Sequence, residues 1–360
     1  MKITAVDLFC GIGGLTHGLK LAGIAVAAGF DIDPTCKYAY EENNDATFME
    51  ADIAKVQSSE ISQFYGEKDI KVLVGCAPCQ PFSKYTMRYR KNKVKNENGE
   101  KNHDKWGLVG AFADRIREIL PDIVSMENVP ELEDTEVFHS FIATLKESGY
   151  YISYSVAYCP DYGVPQSRRR LVLLASRFSE IFLIGPEYLP ENYITVRQAI
   201  ESLPKLQSGK KNAIDNLHFC SDLSEINLKR IKASRQGGSW RDWNEELQLK
   251  CHKKSTGKTY GSVYGRMSWD LPSPTITTQF YGYGNGRFGH PQQDRAISIR
   301  EGAILQSFPP GYKLVKEGDT VRTRTLGTHI GNAVPVELGR AIGTSILEHL
   351  KECDLYGTEK

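Results

Sequence analysis

The chain has 360 residues, 40% of them hydrophobic and 25% charged, with a formal net charge of +1. That length supports a large core and two domains, and the composition is that of an ordinary soluble protein. No run of 18 or more apolar residues occurs, so no transmembrane helix or membrane role is expected. The N-terminus, MKITAVDLFCGIGG, has an early aspartate and a glycine turn, and resembles a first core strand more than a signal peptide. Eight cysteines (10, 36, 76, 79, 159, 220, 251 and 353) are scattered over the whole length. They are too sparse for a disulfide scaffold and imply reduced thiols and a cytoplasmic location. The small net charge hides an asymmetry: residues 84–105 carry net +5 and residues 205–258 net +6. Two basic segments on an otherwise acidic body are either solvated loops or the footprint of a polyanion.

In chain order, Ile3 to Phe9 is a first strand, Gly14 to Ala22 a helix stopped by Gly23, and Ala25 to Phe30 a second strand. Asp33-Pro34 has the form of an N-cap followed by proline at the first helical position, opening a helix to about Asn43. Further strands are expected at Thr47 to Met49, Val72 to Gly75, Ile123 to Met126, Tyr151 to Tyr158 and Leu171 to Ala175. Helices are expected at about Val109 to Leu120 and Val137 to Ser148. Strands separated by helices imply an α/β fold with a doubly wound, mostly parallel sheet. After Arg177 the chain turns polar and aromatic, rich in glycine and proline and without sustained periodicity. The expected division is 1–177, a second, smaller and irregular domain at 178–293, and a return segment at 294–360. That segment ends in a helix from near Pro335 that docks on the first domain.

Glycines 11, 13 and 14 sit between the first strand and the first helix, where they permit a sharp turn and a close ligand approach. Position 16 is threonine, which disfavours the G-x-G-x-x-G pattern and a nicotinamide dinucleotide. Asp31 ends the second strand about twenty residues on, placed to accept from ribose hydroxyls. Asp52 either accepts from an adenine amine or caps the next turn. The set fits an adenosyl ligand without a pyrophosphate, for which S-adenosylmethionine is the obvious choice. Cys76 and Cys79 have the spacing of a redox dithiol or half a zinc site. A zinc site needs a second compact pair, but Cys251 and His252 are adjacent and His218 and Cys220 one residue apart, so no metal is expected. Pro81 and a polar stretch follow where a redox motif starts a helix. Cys79, between Pro78 and Gln80-Pro81, suits an exposed nucleophile, and Cys76 a small buried hydrophobe. Glu127 follows a buried strand and is either a turn residue or a carboxyl in a partly dry pocket. Arg168 and Arg170 share one face by strand alternation and suit a phosphate or a base carbonyl, unless they form an exposed edge.

The ordered blocks DLFCGIGG, GCAPCQPFS, ENVP, YGVPQSRRR, REGAILQSFP and GTHIGNAVP resemble the DNA (cytosine-5)-methyltransferase family of bacterial type, from near residue 4 to about 350. One departure is Ala77, where relatives often have a second proline. Ile32 occupies a position that relatives fill with an aromatic or apolar residue beside adenine.

The resemblance implies a Rossmann-like fold and transfer of the S-adenosylmethionine methyl group to carbon 5 of a flipped-out cytosine. Cys79 attacks carbon 6, Glu127 meets the ring nitrogen and amine, and Arg168 and Arg170 hold the base carbonyl and nearby groups. The implied cofactor pocket comprises Phe9, Gly11, Ile12, Gly13, Asp31, Ile32, Asp52, Ile53 and Pro78, with Asn332 and Val334 from the far end of the chain. The basic stretch 84–105 becomes a loop over the flipped base. Region 178–293 becomes a reader of a short duplex DNA target, with Arg235, Gln236, Arg241, Gln279, Tyr281, Tyr283, Asn285 and Arg287 among the base-reading residue types. The expected setting is a monomeric, nucleoid-associated modification enzyme of the cytoplasm, with a cognate restriction endonuclease as companion but no stable complex. Transfer RNA is the rival substrate, though members that methylate it have a short recognition region. A non-catalytic DNA-binding relative would have lost Cys79 or Glu127.

Overall fold

A computed structural model describes residues 2–78, 107–254, 257 and 261–356. Cys79 and the basic stretch 84–105 lie outside the described residues. The strands in chain order are β1 (Ile3–Leu8), β2 (Ala25–Asp31), β3 (Thr47–Glu50), β4 (Ile70–Gly75), β5 (Ile123–Asn128), β6 (Tyr151–Tyr158), β7 (Gln166–Ser167), β8 (Arg169–Ser176) and β9 (Ser273–Pro274). Seven of them form one sheet in the order β3-β2-β1-β4-β5-β8-β6. The β1–β2, β2–β3, β1–β4 and β4–β5 pairs are parallel, whereas β8 runs antiparallel to both β5 and β6. Strands β1 and β5 are buried along their full length, which explains why they read as continuous apolar runs instead of alternating ones. Between β1 and β4 the strand order reverses, and such a switch point opens a crevice at the carboxyl ends of the strands.

The chain divides into two compact units: residues 1–158, 169–186 and 336–360, and residues 159–168 and 187–335. This partition departs from the sequence boundaries in three places, the first being that residues 178–186 group with the first unit. Cys159–Arg168 groups with the second unit, and of the return segment only Val336 onward groups with the first. In the first unit, Phe112, Phe138 and Phe141 from the helices Gly107–Ile119 and Glu136–Glu147 pack on Leu73, Val124, Met126 and Leu173 of the sheet. The helix Gly14–Ala22 starts from Gly13 and stops at Gly23, both in left-handed conformations that suit glycine. Its Gly18 lies against the backbone of the C-terminal helix Val336–Glu352, so close that a Cβ would overlap Val336 O and the Arg340 amide.

The second unit holds the helices Val196–Ile200, Glu225–Ala233, Ile299–Leu305 and Thr323–Asn332 and the short β7–β9 ladder. Its interior mixes a hydrophobic cluster, including Ile231, Trp240, Trp243 and Tyr283, with buried arginines. Arg266 donates to the carbonyls of Ile231, Ser234, His290 and Gln293 and pairs with Asp294. Arg295, fully buried, meets both carboxylate oxygens of Glu301 at 2.7 Å.

Replacing Gly18 by alanine forces the two helices apart, and an overpacked helix contact of this kind costs about 1–3 kcal/mol. Urea unfolding of Gly18→Ala is therefore expected to show a lowered midpoint, whereas Gly110→Ala, where a Cβ meets no atom within 4 Å, should not.

Candidate active site

The first half of the site is the turn that leaves β1. Phe9, Gly11 and Gly13 have φ of 61, 50 and 87°, so the chain coils tightly before entering its helix. The Gly11 amide donates to Oδ2 of Asp31 at 2.9 Å, and the Asp33 amide donates to Oδ1 at 2.9 Å. These bonds fix the carboxylate at the lip of β2 while leaving it further acceptor capacity. Beside it Ile32 is 67% exposed, an apolar surface open to a flat ligand. Ile12 and Ile53 are both 2% exposed and point into the protein, so they offer only backbone to a ligand. Asp52 accepts from the Ala54 amide at 3.1 Å and lies 3.4 Å from Lys55 Nζ, so it caps its own turn, one of the two roles the sequence left open. A carboxylate acceptor, an exposed apolar side chain and a glycine turn are a donor and acceptor set that fits an adenosyl group.

Thr16, the residue that breaks the dinucleotide pattern, faces inward. Its hydroxyl donates to Oδ2 of the buried Asp7 at 2.7 Å and lies 3.1 Å from the Tyr40 hydroxyl. Burial pushes the Asp7 carboxyl up to about 7, the Thr16 hydrogen bond opposing and the Asp31 charge adding to the rise.

The second half lies at the ends of β4, β5 and β8. Glu127, 2% exposed, ends β5 with Asn128. Because β8 is antiparallel, its first residues reach the same edge as the carboxyl ends of the parallel strands. Arg170 Nε there lies 2.8 Å from Glu127 Oε1. From just beyond β4, the Cys76 thiol donates to Glu127 Oε2 at 2.7 Å. Asn128 Nδ2 donates to Ala77 O at 3.0 Å, anchoring the chain that leads to the exposed Pro78. Cys76 thus departs from its expected role as a buried hydrophobe: it is partly exposed and bonded to a carboxylate. Burial pushes its thiol well above the ordinary value, and the Glu127 charge adds to that. Composition alone carried no signal for this pairing, because the partners are 51 residues apart.

Arg168 precedes β8 by one residue, so the strand alternation that grouped it with Arg170 does not extend to it. It is buried in the second unit and donates to the carbonyls of Ile276 and Gly331 at 3.1 and 3.3 Å. Gln306 donates to Ala333 O at 2.5 Å. The backbone on either side of Asn332 is therefore pinned, with the Asn332 side chain exposed and Val334 buried. Of the base-reading residue types in this unit, Arg235 and Arg241 are exposed, the first paired with Asp242 at 3.2 Å and the second over the Trp240 ring. Asn285 Nδ2 donates to Gln279 O at 3.1 Å. Tyr283 departs from expectation: it is 3% exposed, lies 3.2 Å from Ser234 Oγ and packs edge-on against Tyr264.

Residues 3–348 match the family model for C-5 cytosine-specific DNA methylase. The chain is 53% identical to the Type II methylase M.HgiDII of Herpetosiphon aurantiacus over 96% of its own length and 95% of that protein's. It is 30% identical to the Type II methyltransferase M1.BsuMI of Bacillus subtilis (strain 168), covering 94% of this chain and 78% of that one. Among solved structures, the Entamoeba histolytica methyltransferase EhMeth superposes with a TM-score of 0.65 at 16% identity, over 97% of this chain and 99% of that one, a likeness of fold.

Two outcomes check this geometry. Arg170→Met leaves the Glu127 carboxylate without its cation, which for a buried pair costs about 3–5 kcal/mol, trimmed here by the remaining Cys76 bond. Equilibrium unfolding reads that loss directly. A raised Asp7 binds its proton more tightly in the folded state, so its contribution is complete below the ordinary value of 3.8 and is lost as pH rises to about 7. Asp7→Asn should flatten that decline in unfolding free energy between pH 4 and 7.

Proposed function

Because the chain belongs to the C-5 cytosine-specific DNA methylase family, we propose that it methylates carbon 5 of cytosine within a short duplex DNA sequence, using S-adenosylmethionine. The observation that carries this reading is the buried Glu127 carboxylate, held by Arg170 at the same strand-end edge that carries Asp31 and the glycine turn. When bound, S-adenosylmethionine supplies a methyl group activated on a sulfonium. Asp31 accepts from the ribose hydroxyls, the Phe9–Gly13 turn and Ile32 border the adenosyl group, and Pro78 stiffens the approach to the nucleophile.

Carbon 5 of cytosine is a poor nucleophile until something adds at carbon 6. Cys79 adds there as thiolate, while Glu127 protonates or hydrogen-bonds the ring nitrogen and exocyclic amine, drawing charge away from the carbon under attack. The ring becomes an enamine, and carbon 5 gains the methyl group. A base, bound water or a side chain, then takes the carbon 5 proton, and the electron pair left behind expels Cys79 from carbon 6 as thiolate. Arg170 fixes the carboxylate, and Arg168 supports the segment around Asn332. A duplex hides the carbons concerned, so the nucleotide must leave the stack, at a cost of roughly a few kcal/mol. The basic segments 84–105 and 205–258 supply phosphate neutralisation, which makes binding fall steeply with salt. The second unit supplies target reading, and the resemblance to Type II methylases supports a setting beside a restriction endonuclease.

Labelled S-adenosylmethionine incubated with a pool of duplex DNA and transfer RNA is expected to label DNA alone, at cytosines within one short motif. Label confined to RNA would overturn the substrate assignment. Cys79→Ser should abolish transfer and leave cofactor affinity unchanged. Asp31→Ala should weaken cofactor binding, measured by calorimetry, with DNA affinity intact.

A further inference from the structure

Glu127 is gripped from two sides. Arg170, arriving on β8, forms an ion pair with Oε1 at 2.8 Å without the alignment of a hydrogen bond, and Cys76, arriving from β4, donates to Oε2. The two partners differ in kind. Arg170 supplies the charge that lets a buried carboxylate exist, whereas Cys76 supplies a neutral, directed donor. A glutamate's last torsion is broad and roughly two-fold, so a single partner leaves the carboxylate plane free to rock. A second partner on the other oxygen fixes the plane, and a proton-handling carboxyl must present one defined edge to the base.

Small-residue packing does not account for Cys76. A side chain kept only for volume would be unbonded, yet the Cys76 sulfur is directed at a carboxylate that is 2% exposed. Alanine at this position would leave Oε2 without that donor, in a setting where an unmet acceptor is costly. A thiol also has an advantage over a charged donor here. Burial and the Glu127 charge push it well above its ordinary value, so at neutral pH it stays protonated, a donor and not a second nucleophile.

We propose that Cys76 is a positioning residue for methyl transfer, orienting the Glu127 carboxylate through the Sγ–Oε2 hydrogen bond while Arg170 balances its charge. This rests on the reading of Glu127 as the group that meets the cytosine ring.

The test compares the wild type, Cys76→Ala, Cys76→Ser, Glu127→Ala and the Cys76→Ala/Glu127→Ala double variant. Methyl transfer to duplex DNA is measured at saturating S-adenosylmethionine, and unfolding in urea. Cys76→Ala is expected to lower kcat about tenfold, the scale of one hydrogen bond to a charged group, with KM for DNA and cofactor affinity unchanged. Cys76→Ser, which keeps a donor, should recover most of that rate. In urea, the destabilisation caused by Cys76→Ala should shrink in the Glu127→Ala background, because the partner is gone. A wild-type kcat in Cys76→Ala, a failure of serine to rescue it, or an undiminished destabilisation beside Glu127→Ala would each overturn the role of Cys76. No label on DNA from the wild type would instead overturn the methylation reading on which the role depends.

Discussion

Taking a carboxylate out of water costs several kcal/mol unless cations and donors meet it, and Glu127, 2% exposed at the end of an interior strand, sets that condition for everything around it. Arg170 meets it, and can do so only because β8 is inserted antiparallel between β5 and β6. Had β8 been parallel, its first residues would lie at the opposite edge of the sheet. The register places Asn128 opposite Leu171 and Glu127 opposite Val172, so Arg170 is the next residue past the pairing and its side chain folds over the strand end. Sheet topology and site electrostatics are one constraint at this point.

The other side of the same edge is set by backbone geometry. The turn after β1 threads three residues through left-handed conformations, and the Gly11 amide meets Asp31. Inward, Thr16 ties that turn's helix to buried Asp7 and Tyr40, so the position that a dinucleotide fold reserves for glycine is spent on internal bonding. The helix itself is held by the returning C-terminal helix across a backbone-close contact at Gly18. The last element of the chain thereby steadies the first turn.

The second unit follows a different principle. Arg266 and Arg295 are buried, and their donors satisfy loop carbonyls and the Glu301 carboxylate. Satisfaction of backbone groups by side chains replaces the ladders of regular structure. A region built this way has no period of 2 or 3.6 to read, which is why only its irregularity was legible. Tyr283 illustrates the cost of reading residue type alone: an aromatic suited to a nucleic-acid surface is packed inside against Tyr264.

The sequence by itself determined the alternation of strands and helices, the glycine turn, the acidic residue ending the second strand, and the glutamate ending the fifth. These depend on local burial patterns and on residues that a tight turn requires, and both are written within a few consecutive positions. The ordered motif blocks also pointed to the family before any contact was known. Only the tertiary structure decided that Arg170 and not Arg168 meets Glu127, that Cys76 donates to the same carboxylate, and that residues 159–168 group with the second unit. The two contacts to Glu127 join residues 43 and 51 positions apart in the chain, and the Arg170 contact depends on the direction in which β8 enters the sheet. Strand direction is settled by the packing of the whole sheet, and no short pattern of residues encodes it.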